Sequence, residues 1–597
     1  MEKVNIKLAI VINIIKTLKT NKLNYFLLSI SILIGTILRY NFSADKPADS
    51  IEISTLGYSL GNNFLDIPLD KVITWQQLLS PLRFDPTIPY SDVIHNLMTE
   101  STHPPLYFLL THFWLKIFTP DGEIVSLAVG RSLSALFGVL AIPAIFALGC
   151  FAFRSQIVGQ IAAALMAVSP YGIYVAQEAR HYTLTILWII ISLAFLIQAI
   201  RCIQQQKKLP LWLGCFWIII NSLGIATHYF FALTLAAEGL VMGWFLLRDI
   251  KQFSQPYWCH IYIVGLGSLV GCLVWLPAVT GISSNDLTSW IDTSYDLDEI
   301  WQPILRLFVW GITMIFMLPV EGTNTFISII SGVTMLLVLV WAFPSLWQGW
   351  KRAFAERGVS YIASPLASLS LQILGAFLGF AILLFFFVIY GLGKDISLVA
   401  RYGFVYFPVV LLLLGSSIAS CWQNNIEEKK TTSKLFEFIP NFFRATGKKV
   451  VVIILMMGLC GALSVVTNYA YQKSRRADLL AQVIQTKYQA PILIAMSYKT
   501  HSEIRALMAI GLYFQRLEKK TNFPTETLEF VLAKKQENSA LLPDSTIAKI
   551  LTEKTRPLDL WAVNLEVNKN DFEKFNCWEN PDNLPKVNYS YELYNCR

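Results

Sequence analysis

About eleven apolar stretches, each near 20 residues long, run through this 597-residue chain and leave it few ways to fold. A stretch of ~20 apolar residues has the length of a helix crossing the ~30 Å hydrocarbon core of a bilayer. The windows lie near 24–40, 126–151, 156–174, 181–200, 211–226, 228–248, 258–282, 324–347, 367–392, 402–421 and 450–470. The chain is 54% hydrophobic and only 15% charged, against about 25% charge in a soluble domain. An α-helical polytopic membrane protein is therefore expected. The 17 Trp and 24 Tyr suit many interfacial anchors.

Lys and Arg cluster in particular loops, and this sets the expected orientation. Lys3, Lys7, Lys16, Lys19 and Lys22 precede the first stretch; Arg201, Lys207 and Lys208 follow the fourth. Arg248 and Lys251 follow the sixth, Lys351, Arg352 and Arg357 the eighth. Lys429, Lys430, Lys434, Lys448 and Lys449 precede the last. The positive-inside rule makes all of these cytoplasmic. The net charge of +8 is thus a topology signal, not a nucleic-acid footprint, since no basic-aromatic module accompanies it. The first apolar run follows a basic flank and ends in Leu38-Arg39-Tyr40 without a small-residue cleavage site, so it reads as a retained helix, not a signal peptide.

Parity then puts Glu178 to Tyr182 on the external face and leaves His103 to Phe118 with both ends outside. That short apolar segment, and 304–318 with Arg306, read as interfacial helices. Lys473, Arg475 and Arg476 follow the last helix on the side read as external, against the charge rule. The expected domains are a cytoplasmic segment 1–23, a membrane core 24–474 with a first external loop 41–125, and a soluble extracytoplasmic domain 475–597. In the last, Pro491 to Met496, Leu528 to Ala533 and Leu560 to Leu565 look strand-like and Ser502 to Leu517 helix-like, a small α/β pattern. Seven of nine Cys (150, 202, 215, 259, 272, 421, 460) lie in or beside apolar segments as expected core residues, without metal-ligand spacing. Cys577 and Cys596 suit a disulfide if the tail lies outside the cytoplasm.

Ionisable groups are expensive at membrane depth and mark functional sites there. Six distant pieces of sequence place such groups on the expected external side: Asp49 and Glu52; His103; Arg131; Glu178, Arg180, His181 and Tyr182; His228 and Tyr229; Arg401 and Tyr402. Any one of them has an ordinary reading, as a snorkelling Arg, an aromatic-belt Tyr or a structural His. Their coincidence favours a site. A carboxylate can take a proton from an acceptor hydroxyl, and Arg suits a phosphate through bidentate charge-assisted bonds. Together they fit transfer from a lipid-phosphate donor whose tail stays in the bilayer. The acidic residues Asp286, Asp292, Asp296, Asp298 and Glu299 crowd one loop and read as a solvated face, with no calcium-loop spacing.

His103-Pro-Pro-Leu-Tyr107, Arg131-Ser-Leu-Ser-Ala-Leu-Phe-Gly138, Ser169-Pro-Tyr171, Gln177-Glu-Ala-Arg-His-Tyr182, Thr227-His-Tyr229 and Arg401-Tyr402 carry a family resemblance. Over residues 20–425 the chain resembles the bacterial family 39-type membrane glycosyltransferases, a group similar to protein O-mannosyltransferases and the lipid A aminoarabinose transferase. The resemblance implies a C-type glycosyltransferase fold, a polyprenyl-phosphate sugar donor, an extracytoplasmic site in a bacterial plasma membrane, and inversion at the anomeric carbon. It implies a first-loop carboxylate as base and a basic residue assisting the leaving lipid phosphate. The catalytic candidates are Glu52, Asp49 and Glu178. The candidates for donor phosphate and sugar are His103, Arg131, Arg180, His181, Tyr182, His228, Arg401 and Tyr402. No cofactor is certain and divalent-metal use is left open; no metal ligands are assigned. The acceptor, whether protein, lipid or glycan, is not readable.

One departure stands out. The family places Asp before Glu soon after the first helix, and here Ile51 precedes Glu52. Asp49 takes the role, Glu52 serves alone, or transfer is lost and binding kept. A lipid-linked sugar transporter is the reading from another class; it predicts polar groups at mid-membrane and repeated helix pairs, neither apparent in the sequence. A catalytically degenerate receptor or scaffold acting through its tail is the third.

Overall fold

The computed structural model describes residues 22–248, 254–280, 291–292, 295, 299–354, 365–423, 447–473, 475–521, 527–534, 546–565, 572–581, 584–585 and 587–597. The N-terminal segment up to residue 21, Asp286, Asp296, Asp298, Lys251, Arg357 and Lys429 to Lys434 lie outside them. The chain divides into two units. One comprises Met1–Ser43, Arg131–Ser283 and Ile291–Gln472; the other comprises Ala44–Gly130, Ser284–Trp290 and Lys473–Arg597.

The described residues of the first unit are mainly helical, and each expected apolar window has a helix in it. Among the described residues seven helices are long and apolar enough to cross a membrane, which makes this a multi-pass membrane protein. The remaining windows hold shorter or broken helices. Leu211–Thr227 and Phe231–Leu247 have 17 residues each, about 25 Å at 1.5 Å per residue, short of the ~30 Å core. Phe407–Trp422 is also short. The window at 156–174 is broken into Gln156–Val168 and Pro170–Ala176, bent by 57°. The cause is local. Pro170 has no N–H to continue the ladder, and extended Ser169 caps the second piece by accepting from Gly172 N at 3.0 Å. Its hydroxyl also donates to the Met314 carbonyl at 2.6 Å.

Arg39, near the end of helix Lys22–Tyr40, is fully buried. Its guanidinium donates to the carbonyls of Gly35 (3.1 Å), Ala167 (3.1 Å) and Met166 (2.7 Å). Two glycines leave room for it: a Cβ on Gly138 would lie 3.0 Å from Arg39 Nε and 2.8 Å from Ala176 Cβ, and one on Gly172 3.3 Å from Arg39 Nη2. Gly138→Val is accordingly expected to cost about 1–3 kcal/mol by overpacking, read as a lower thermal midpoint in detergent; an unchanged midpoint contradicts the packing argument. Three free cysteines depart from expectation: Cys215, Cys259 and Cys460 are exposed on helix surfaces, whereas Cys150, Cys202 and Cys421 are buried. Gln302–Thr313 fills the second expected interfacial segment, and its Arg306 pairs with buried Asp395 at 3.0 Å.

The second unit is built on a six-stranded sheet. Its strands are β1 (Val72–Thr74), β2 (Ile492–Tyr498), β3 (Leu528–Lys534), β4 (Leu558–Val563), β5 (Cys577–Glu579) and β6 (Tyr591–Cys596), in the order β1-β3-β2-β4-β6-β5. β2 pairs in parallel with both neighbours, with Ile494 opposite Phe530 and Trp561. Such central strands are covered on both faces and read as continuous apolar runs, which is why they are visible in the sequence. Helix His501–Thr521 connects β2 to β3, as the helix-like stretch there predicts. The edge strands β1 and β5 and the inner strand β6, with helices Ala477–Lys487 and Thr546–Glu553, were not foreseen. Cys577 and Cys596 are register partners on β5 and β6 and form a disulfide.

The first loop, read from sequence with the membrane core, groups with the tail instead. Its β1 lies antiparallel to β3, with Val72 opposite Val531. Asp70 holds this edge by accepting from Lys534 N and Thr546 Oγ1, both at 3.0 Å. Helix Ser50–Ser59 packs on His501–Thr521. Helix Leu106–Phe118 fills the first expected interfacial segment and buries Tyr107, Phe108, Thr111, His112 and Leu115.

Candidate functional site

The first unit gathers candidates from three distant stretches. Tyr182 opens helix Tyr182–Gln204, and His181 caps it. His228 sits in the turn between Leu211–Thr227 and Phe231–Leu247. Arg401 and Tyr402 lie in the 3-10 turn Ala400–Val405. The His181 ring is 4.4 Å from His228 and 4.7 Å from Tyr182. Phe404 stands 5.0 Å from His228 and 5.8 Å from Tyr182, and Phe230 bridges His228 to Tyr402 at 5.3 and 4.7 Å. The guanidiniums of Arg180 and Arg401 lie 5.7 Å from the rings of Tyr182 and Tyr402, respectively. Both act electrostatically on His228 and on Tyr402, and Glu178 acts on Arg401.

The loop that carries Arg180 is rigidly held. Ser134 Oγ donates to the Arg180 carbonyl at 2.8 Å and accepts from Arg180 N at 3.1 Å, while Thr183 Oγ1 donates to the Ser134 carbonyl at 2.9 Å. Gln177 Nε2 donates to the carbonyls of Leu38 and Asn41 at 2.9 and 3.0 Å. Tyr171 OH fixes the other arginine's turn through the Arg401 carbonyl at 2.8 Å. The residues between Arg131 and Gly138 thus have separate jobs. Arg131 is buried and donates to the Ser43 carbonyl, Ser134 clamps Arg180, and Gly138 clears Arg39. Ser134, Phe230 and Phe404 were not foreseen; a neutral hydroxyl or an extra aromatic carries no distinguishing signal in an apolar chain.

His228 is kept neutral. Burial first, then the Arg180 and Arg401 guanidiniums, push it down to about 3, and its Nδ1 accepts from Phe230 N at 3.0 Å. An unfolded His takes up a proton near pH 6.5, which the folded site refuses until about pH 3. The stabilising contribution is therefore complete above about pH 6.5 and drains as pH falls toward 3. We expect the labelled His228 ring to remain neutral at pH 5 in nuclear magnetic resonance spectra, and protonation near pH 6.5 contradicts this.

The first-loop candidates belong to the second unit. Asp49 is the N-cap of helix Ser50–Ser59 and Glu52 its N3 residue. Glu52 is fully buried, its Oε2 accepting from Asp49 N at 3.3 Å and lying 3.5 Å from buried Lys473 Nζ. Asp49 and Glu52, N-cap and N3, thus form a reciprocal cap. The anomalous basic residues after the last helix also find partners. Lys473 meets Glu52, and Arg476 forms a two-pronged bond with Asp478 at 2.9 and 2.7 Å. His103 Nδ1 is 3.2 Å from Ser101 Oγ. Among the described residues no group of three or more His, Cys, Asp or Glu is assembled as for a metal ion.

No family model and no curated protein matches the chain. Among solved structures it is similar to ArnT from Cupriavidus metallidurans bound to undecaprenyl phosphate, with 11% identity over 96% of this chain and 97% of that one, at TM-score 0.47. It is also similar to an Archaeoglobus fulgidus oligosaccharyltransferase in complex with Zn and sulfate, with 13% identity and TM-score 0.44. That match covers 81% of this chain and 61% of the other.

Proposed function

We propose that the chain is an integral-membrane glycosyltransferase of the C-type that moves a sugar from a polyprenyl-phosphate donor to an extracytoplasmic acceptor hydroxyl, with inversion. The observation that carries this reading is the ring cluster of His181, Tyr182, His228, Phe230 and Tyr402 at the ends of apolar helices, with the Arg180 and Arg401 guanidiniums 5.7 Å from Tyr182 and Tyr402. Two guanidiniums in a largely water-excluded site suit a phosphate whose charge grows as the glycosidic bond breaks. The aromatic rings would border the sugar. The motif resemblance supports the same reading. Glu52, Asp49 or Glu178 takes the acceptor proton. Lys473 and the Asp49 N–H hold the Glu52 carboxylate in a fixed position.

The orientation goes with it: N-terminus cytoplasmic, tail outside a bacterial plasma membrane. The Cys577–Cys596 disulfide supports an oxidising side for the tail. The test is native mass spectrometry of the protein in nanodiscs with polyprenyl phosphate. Bound lipid phosphate that survives in wild type and is lost in Arg401→Met supports the reading. Equal retention of a neutral polyprenol contradicts it.

A further inference from the structure

Near the middle of four helices of the first unit lies a polar network that the proposed function does not use. Glu238, on Phe231–Leu247, is buried, and its Oε2 is 3.0 Å from Ser192 Oγ on Tyr182–Gln204. Ser192 also meets Asn221 Oδ1 (2.9 Å) and accepts from Trp217 Nε1 (2.9 Å), both on Leu211–Thr227. Asn221 Nδ2 donates to Ser268 Oγ (2.9 Å) on Cys259–Leu273. The sequence reading found no polar group at mid-membrane; Glu238 and Asn221 correct it.

The proton inventory is satisfied with Glu238 protonated. Ser192 has one hydroxyl hydrogen and two oxygen acceptors in reach, Asn221 Oδ1 and Glu238 Oε2. If Glu238 carries a proton on Oε2 it donates to Ser192, which donates to Asn221, which donates to Ser268, and each hydrogen has one acceptor. Charge leads to the same assignment. The turns facing Glu238 on Tyr182–Gln204 and Leu211–Thr227 offer Ser192, Trp217 and Asn221, and Pro365–Phe386 contains no ionisable residue. The turn Ala400–Val405 also packs on Phe231–Leu247, but it meets the helix start, where Tyr402 stands 4.7 Å from Phe230, and its Arg401 belongs to the candidate site. Among the described residues of the network's helices, Arg201 lies toward the far end of Tyr182–Gln204 and is engaged with the Phe151 and Ala152 carbonyls and Ser370, and His260, at the start of Cys259–Leu273, has its Nδ1 2.5 Å from the Leu209 carbonyl. An ionised carboxylate with no counter-charge at this depth is costly. Glu238 Oε1 is buried with no hydrogen-bond partner among the described residues, a burden a neutral acid bears more easily than an anion.

We propose that Glu238 is an acid protonated at neutral pH that positions the candidate site by setting the register of the helices behind it. Those helices carry Tyr182 at one start and His228 at one end. One turn above Ser192, Trp188 Nε1 donates to Thr227 Oγ1 at 3.0 Å, so a polar seam runs from the network to the residue beside His228. Glu238 is a positioning residue; it touches none of the site's rings.

Infrared spectroscopy of the full-length protein in nanodiscs, comparing wild type with Glu238→Gln and Glu238→Leu, tests this. A carboxylic-acid carbonyl band present in wild type from about pH 5 to 7, where a free Glu is ionised, and absent from Glu238→Gln is expected. Gln can still donate to Ser192, so it should keep the His228 ring resonance and the thermal midpoint of wild type, whereas Leu shifts both. A carboxylate band from Glu238 at neutral pH, or Gln behaving like Leu, overturns the proposal. None of these readouts needs the protein to transfer sugar, so failure here and failure of the glycosyltransferase reading are separable.

Discussion

Arg401→Met and Arg180→Met are each expected to lower sugar transfer about 10²- to 10³-fold, the loss typical of removing one charge-stabilising donor in a preorganised site. Both side chains act on the same imidazole and the same phenol, so their effects should not add: the double variant should fall little below the worse single one. Lys at either position should recover only part of the activity, because a point charge replaces a planar fork. The folded state should survive. The Arg180 backbone is clamped by Ser134 and the Arg401 backbone by Tyr171, through main-chain atoms that the substitutions keep. Initial rates with a polyprenyl-phosphate sugar, beside thermal midpoints, check this. Rates within about threefold of wild type would remove both arginines from the phosphate site.

Lys473→Met is expected to destabilise the loop-and-tail unit by about 3–5 kcal/mol, because it leaves the Glu52 carboxylate buried without its lysine. Glu52→Gln removes the opposite charge and is expected to lose about 10²- to 10⁴-fold in transfer if Glu52 is the base. The double variant separates the two roles. With neither charge left buried, it should regain most of the stability lost in Lys473→Met while remaining inactive. Protease accessibility of the tail on heating gives the stability, and transfer rates give the chemistry. A double variant as unstable as Lys473→Met would mean that the pair contributes little. Full activity in Glu52→Gln would hand the base to Asp49 or Glu178.

The fold was legible where burial imposes long patterns. Apolar windows mark the membrane helices, and the runs at 492–496 and 528–533 mark strands covered on both sides. It was not legible where a few atoms decide. Ser169 and Pro170 break a helix inside one apolar window, and three residues at 72–74 complete a sheet whose other strands lie more than four hundred residues away. At the site, Arg180, His181, Tyr182, His228, Arg401 and Tyr402 were legible because polar groups are conspicuous at helix ends in an apolar chain. Ser134 and Lys473 were not. Ser134 is a hydroxyl whose importance lies in one backbone clamp. Lys473 reads as a misplaced topology charge until the fold sets Glu52 beside it. Glu238 was passed over because a single acid in an apolar window is easily absorbed into a span.

The most direct test reconstitutes the protein in vesicles with a polyprenyl-phosphate sugar labelled on the sugar and follows where the label goes. The account predicts that label leaves the lipid in wild type and stays on it in Arg180→Met/Arg401→Met. Label that crosses the bilayer still attached to its lipid would contradict the account and make the chain a transporter.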